Sequence, residues 1–348
     1  MDDGDRVVLR LPDADLAEPA GAQTGDTDPQ AGAAKSGVFH RAFPVLMTSR
    51  HCNRGPVMTR QVEVIGHRGA RGLFPENTLE GFRQALALGV RSFELDVGVT
   101  ADDVVVVSHE PALDPIITRD AAGNWLAGPG PPIRQLTLTE LQTYDVGRIR
   151  PLTPYWIQHR GQKGQDGIRI PTLEQVLRLS PDASFIVELK TDPRFPARTV
   201  DPVRMAEAVL AVVETAGASA RVTLESFDWR GPRHVARFRP DLRLAWLTRE
   251  ETVRDASLWW DGETPARHHG SIPAAVAAQG GGPWAPAFET LTRALVAEAH
   301  ELRLRVLPWT VNRRAAMRRL IAWGVDGLIT DRPDVALDAI GKGQSTVL

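Results

Sequence analysis

Ser92-Phe93-Glu94-Leu95-Asp96-Val97, followed after a short link by Val104-Val105-Val106-Val107-Ser108-His109, decides the fold. The first run alternates. Phe93, Leu95 and Val97 share one face of an extended segment, and Glu94 and Asp96 share the other. A parallel crossover needs about a dozen residues or more, so the link 98–103 forces the second run to return antiparallel, as a hairpin. Centring the turn on 100–103 pairs Val97 with Val106 and Glu94 with His109, which carries the imidazole back beside the carboxylates. Two carboxylates on one buried face repel each other and are costly without a cation. Edge carboxylates in water or in ion pairs are the alternative, but the apolar residues between them call for a buried strand.

Working outward, short apolar runs at 62–66, 92–97, 184–189, 221–226, 242–247, 284–288, 304–309 and 327–330 read as strands. Helical patterns at 78–88, 172–179, 202–215, 230–238, 291–301 and 313–323 lie between most of them. This succession has the size of an α/β (β/α)8 TIM barrel. The hairpin is then an excursion from the second barrel strand, and the insertion 111–169 behind it is expected to cap the rim. Asn77 reads as the N-cap of the first helix with Glu80 three places on, and Gly89 closes that helix. Capping leaves Glu76 unexplained. The barrel domain is expected over 61–340. Residues 1–60, rich in Asp, Ala, Gly and Pro without an apolar period, are expected to be a disordered extension, with Met47 or Met58 as alternative starts.

Composition excludes several classes. With 41 basic and 43 acidic residues, net charge −2, a nucleic-acid or membrane-surface binder acting through bulk charge is excluded. Cys52, the one cysteine, leaves no internal disulfide framework. No apolar run is long enough to span a membrane, and the acidic start MDDGDR is unlike a secretory signal, so a cytoplasmic location is expected.

Other strand ends are charged too. Glu188 and Lys190 share a face at the end of the 184–189 strand. A plain ion pair would explain them, but TIM-barrel active sites occupy that end. The first strand ends in Gly66-His67-Arg68-Gly69. His67, His109, Glu94, Asp96, Glu188, Arg68 and Lys190 thus converge on one rim. Clustered carboxylates suit Mg²⁺, Ca²⁺ or Mn²⁺, whereas zinc lacks its usual Cys or HExxH pattern. A cation with Arg and Lys can neutralise a phosphodiester, and two histidines can serve as acid and base.

The sequence resembles the glycerophosphodiester phosphodiesterase family. The match lies in His67-Arg68-Gly69, Pro75-Glu76-Asn77-Thr78, Glu94-Leu95-Asp96-Val97, His109, Glu188-Leu189-Lys190, Ser226-Phe227, Trp309-Thr310-Val311-Asn312, Gly324-Val325-Asp326-Gly327 and Thr330-Asp331-Arg332-Pro333. The resemblance implies a TIM-barrel enzyme that cleaves glycerophosphodiesters to glycerol 3-phosphate and an alcohol. It implies His67 and His109 as the acid–base pair, and Glu94, Asp96 and Glu188 as ligands of a divalent cation. It further implies Arg68 and Lys190 as phosphate contacts, Glu76 as an active-site carboxylate, and Trp309 lining the glycerol pocket. The expected partner is a small phosphodiester, not a nucleic acid.

Glu110 stands where the family often has Asp, a departure expected to matter little. The stretch 257–286, with Trp259-Trp260 and His268-His269, reads as loop; packing is expected for the Trp pair and exposure for the His pair. A lysophospholipase D is the alternative within the same chemistry, favoured by an apolar groove from 111–169 and the Trp pair. A catalytically silent ligand-binding barrel is the alternative in another class, and it would be expected to have lost one of the histidines or carboxylates.

Overall fold

The computed structural model describes residues 62–341. The expectation for residues 1–60 lies outside the described residues. The strands are β1 (Glu63–His67), β2 (Ser92–Val99), β3 (Val105–Val107), β4 (Ser184–Leu189), β5 (Val222–Ser226), β6 (Arg243–Thr248), β7 (Trp284–Pro286) and β8 (Gly327–Thr330). Their order is β7-β6-β5-β4-β2-β1-β8, all parallel, with β3 antiparallel on β2 outside the ring.

The expected strand at 304–309 does not form a continuous ladder, yet it closes the ring. Parallel bridges join Trp284 to Val306 and Ala287 to Trp309, while Asp326 N donates to Val306 O and Ile329 N to Pro308 O. Pro308 has no N–H to donate, which interrupts the ladder at this position. The result is a closed (β/α)8 barrel, the TIM fold.

The alternation within β2 sets the layers. Phe93 and Leu95 are fully buried outside the strands, and Phe93 meets Phe82 of the first helix (Leu79–Ala87) edge-on with centroids 5.5 Å apart. Inside the barrel Ile65, Ile186, Leu307 and Ile329 form an apolar plug against Trp309. The charged residues of the inner face therefore gather above it, at the strands' C-terminal ends.

Two local expectations are corrected. The hairpin pairs Val97 with Val107 and Gly98 with Val106, one residue from the expected register. The reason is a turn one residue longer: Thr100 N donates to Val104 O, which leaves 101–103 in the loop, and Asp103 takes a left-handed φ of 62°. The first helix is capped by Thr78, whose Oγ1 accepts from Gly81 N at 3.0 Å, and not by Asn77.

The insertion 111–169 does form a cap. Leu113, Ile133, Leu141, Val146 and Ile170 bury a small core against Val106 of β3. The stretch expected as loop at 257–286 is more ordered than that, with helices Ala256–Trp259 and Ile272–Ala277. Its Trp pair packs as expected: Trp259 and Trp260 are buried, and Trp260 stacks on Trp229 with centroids 4.2 Å apart. His269 is exposed, and His268 lies 3.2 Å from Glu263. No helix of the described residues is long and apolar enough to cross a membrane.

Candidate active site

His67 ends β1, where the chain must turn sharply. A Cβ on Gly66 would lie 1.9 Å from the Gly69 carbonyl oxygen, so the turn requires glycine. Arg68 follows at φ 51°, and its backbone N–H donates to Glu94 Oε2 at 3.1 Å. His67 Nδ1 bonds Asp331 Oδ1 at 2.6 Å, and its Nε2 lies 3.6 Å from Glu94 Oε2. A carboxylate can only accept, so Nδ1 carries the proton and Nε2 keeps a lone pair toward the cavity. Burial, aided by Arg71, lowers the His67 pKa to about 4, so the imidazole is neutral near pH 7.

His109 arrives just beyond β3. Its Nδ1 bonds Glu110 Oε1, again at 2.6 Å, so the two histidines share one arrangement. Glu110 thus has a task that the sequence did not suggest. Burial and the charge of Lys190 lower the His109 pKa as well.

The carboxylates of Glu94, Asp96 and Glu188 each place an oxygen within 4.8 Å of the others, and all three are buried. Asp96 is held on one side: Asn77 Nδ2 donates to Oδ2 at 3.0 Å, and Arg68 Nε lies 3.1 Å from the same oxygen. Among the described residues its buried Oδ1 has no hydrogen-bond partner, with Lys190 Nζ 3.6 Å away. Lys190 Nζ donates to Glu188 Oε1 at 3.0 Å. Burial and the neighbouring charges of Asp96 and Glu225 push Glu94 well above the carboxylate range. Burial likewise raises Glu188 to about 7, despite Lys190. Burial opposes the Asp96 charge too, but Arg68, His109, Lys190 and the Asn77 hydrogen bond together outweigh it and hold that carboxyl well below the usual value. An all-oxygen donor set with an orphaned buried oxygen at its centre fits a hard divalent cation.

Glu76 anchors Arg68: Arg68 Nη1 donates to Glu76 Oε1 at 2.8 Å, and the Tyr155 hydroxyl donates to Oε2. Burial works against its charge, but Arg68 and Arg71 bring the Glu76 pKa down to about 2. Trp309 donates Nε1 to Ala285 O at 2.9 Å and meets Phe227 edge-on. His67, Arg68, Glu94, His109, Glu188, Lys190 and Trp309 line one cavity of about 400 Å³. Glu76 lies in the adjoining cavity beneath the cap, and Asp96 is covered by the residues around it.

Sequence reasoning missed Asn77, Arg71, Tyr155, Asp331 and Glu225 in their roles here. Asp331 directly follows β8, much as His67 ends β1, and Glu225 follows Thr223 on the inner face of β5, so both had a positional signal. Tyr155 comes from the cap, which carries no strand pattern.

Comparison with known proteins points to one family. The pattern of the Glycerophosphoryl diester phosphodiesterase family matches residues 67–335. A glycerophosphodiester phosphodiesterase of Caldanaerobacter subterraneus subsp. tengcongensis is 28% identical over 280 residues, covering 80% of this chain and 98% of its own. A crystal structure from Silicibacter pomeroyi DSS-3, of a candidate glycerophosphoryl diester phosphodiesterase, is 39% identical with a TM-score of 0.74. It covers 81% of this chain and 94% of that one. A phosphodiesterase of Oleispira antarctica, solved with its product sn-glycerol-3-phosphate, has the same fold at 20% identity and a TM-score of 0.61, covering 80% and 96%. The chain belongs to the glycerophosphoryl diester phosphodiesterase family, a family of phosphoric diester hydrolases.

Proposed function

We propose that the chain hydrolyses glycerophosphodiesters to glycerol 3-phosphate and an alcohol, with His67 and His109 exchanging the protons beside a divalent cation held by Glu94, Asp96 and Glu188. The observation that carries this reading is the pair of neutral imidazoles lining one cavity with Glu94 and Glu188, each with Nδ1 tied to a carboxylate at 2.6 Å. Each Nε2 is then free to take a proton and, once protonated, to give it up. The cation, when bound, neutralises charge on the phosphoryl oxygens. Lys190 and Arg68 add positive charge from the cavity wall, and Glu76 holds Arg68 in place. Trp309 offers an apolar face for the glycerol carbons.

A phosphodiester panel with added Mg²⁺, Ca²⁺ or Mn²⁺, scored for glycerol 3-phosphate, tests this. Release of glycerol 3-phosphate with the free alcohol is expected. Release of free glycerol with a phosphorylated alcohol, or no turnover of any glycerophosphodiester, overturns the reading.

A lysophospholipid is the second substrate class that an observation favours. An apolar cavity of about 580 Å³, with Ala112, Leu113, Pro129 and Pro132 among its lining, shares Glu110, Pro111 and Arg198 with the main one. A chain-bearing substrate turned over faster than its deacylated counterpart supports this reading, and the reverse order removes it.

A further inference from the structure

One buried carboxylate has no part in the proposal above. Glu225 lies on β5, next to β4, and the register pairs Asp96 with Glu188 and Glu188 with Glu225. In-register residues of parallel strands point the same way. Three carboxylates therefore stand side by side at one level of the barrel, on strands about 4.8 Å apart. Glu225 is 1% exposed, and its Oε2 has no hydrogen-bond partner among the described residues. It lines the same cavity as Glu94, Glu188 and Lys190. Lys190 is engaged with Glu188 at 3.0 Å and with Asp96 at 3.6 Å. A buried acid without a partner costs stability, and a residue kept only for packing at this level would not need to carry one.

The geometry points to a fourth carboxylate of the cation site, acting through water; this rests on the cation-binding reading of Glu94, Asp96 and Glu188. Glu225 is outside the set of carboxylates whose oxygens lie within 4.8 Å of one another. It is therefore assigned to a water on the ion and not to the ion itself. Magnesium keeps several waters and calcium takes six to eight oxygens, so three carboxylates leave waters on either ion. Glu225 Oε2 accepts a hydrogen bond from one of these waters, orients it, and adds negative charge to the site. Glu225 is a positioning residue: it acts on the ion through the water and touches no reacting atom.

The test is calorimetric titration of the chelator-stripped full chain with Mg²⁺, Ca²⁺ and Mn²⁺, for wild type and Glu225→Gln. Gln keeps the shape and removes the charge. A loss of about 10- to 100-fold in affinity is expected, the range for removing an outer partner of a metal site. In chelator the Gln variant should melt at or above the wild-type temperature, because repulsion from Glu188 and Asp96 is relieved. A carboxylate needed only for folding would give a lower melting temperature. Glu225→Asp, which keeps the charge, should recover part of the affinity. Glu225→Ser provides the same reading should the Gln variant fail to fold. Undiminished affinity in the charge-removing variants overturns the role of Glu225 while leaving the cation site standing. Absence of saturable binding to the wild type overturns both.

Discussion

Asp331 binds His67 across 264 residues of sequence, Oδ1 to Nδ1 at 2.6 Å, and the same oxygen accepts from Arg71 Nε at 2.6 Å. Asn312 Nδ2 holds the other oxygen at 2.7 Å. The carboxylate therefore fixes one tautomer of the imidazole and cannot rotate away. In Asp331→Asn the amide can present N–H to Nδ1 and invert that tautomer. The expected result is a fall in kcat of about 10²-fold or more with KM little changed, by analogy with orienting carboxylates elsewhere. Steady-state kinetics on a glycerophosphodiester checks it.

On the proposed function, turnover should depend on a cation held by the carboxylate triad. Chelation should abolish activity and added Mg²⁺, Ca²⁺ or Mn²⁺ should restore it. Glu94→Gln should lose activity in the presence of the cation while remaining folded, because one carboxylate is lost and repulsion from Asp96 falls. Full activity in excess chelator would refute this dependence.

Stability of the metal-free chain should peak in mildly acidic solution. His67 has a folded pKa of about 4 against the usual 6.5, and Glu76 about 2 against 4.5. Both values are depressed, so their contributions are present at higher pH and are lost on acidification, over 6.5 to 4 and 4.5 to 2. Glu188 is raised to about 7 from 4.5, so its contribution is present below 4.5 and lost as pH rises through 7. Each is worth up to about 3 kcal/mol. A saturating cation favours the ionised triad and should remove the loss on the alkaline side. Urea midpoints at pH 4, 6 and 8, with and without cation, measure both limbs.

Asn77 spends its side chain on Asp96, at 3.0 Å, from a left-handed backbone with φ 53°. Asn77→Ala leaves Asp96 Oδ2 with the Arg68 contact and places an unfavourable residue at positive φ. A cost of about 1.5–3 kcal/mol is expected for the bond to a charged group, with cation affinity about 10- to 100-fold weaker. Thermal melting and metal titration read the two effects separately.

The nucleophile can be tested through the substrate. A glycerophosphodiester carries a hydroxyl next to the phosphorylated carbon, and held beside a histidine it can attack phosphorus with an effective molarity of about 10⁵ M or more. The expected route forms a cyclic phosphate that water then opens, with the histidines reversing roles between steps. A substrate lacking that hydroxyl should bind and scarcely turn over. Undiminished hydrolysis would point to water as the direct nucleophile.

The barrel was legible because its strands are short, apolar and regularly spaced, and because β2 alternates carboxylates with core residues. The hairpin was legible from link length alone, but its register depended on which residue would take positive φ, which Asp103 does without any glycine to mark it. Asn77 was misread for a related reason: Asn and Thr78 are both good caps, and the competition is decided by Asp96, far away in sequence. Tyr155 reaches Glu76 from a cap whose path follows no period. The departure at 304–309 came from Pro308, visible in the sequence yet compatible with a barrel strand until the neighbours' hydrogen bonds are seen.

The ring closes between β1, made early, and β8, made near the end. During synthesis, at about 5–20 residues per second, His67 waits tens of seconds for the residue that orients it. A nascent chain, or one cut before β8, therefore carries both histidines and the acidic triad without the carboxylate that orients His67. The same closure that completes the sheet, β8 on β1, is thus the step that completes the imidazole's setting.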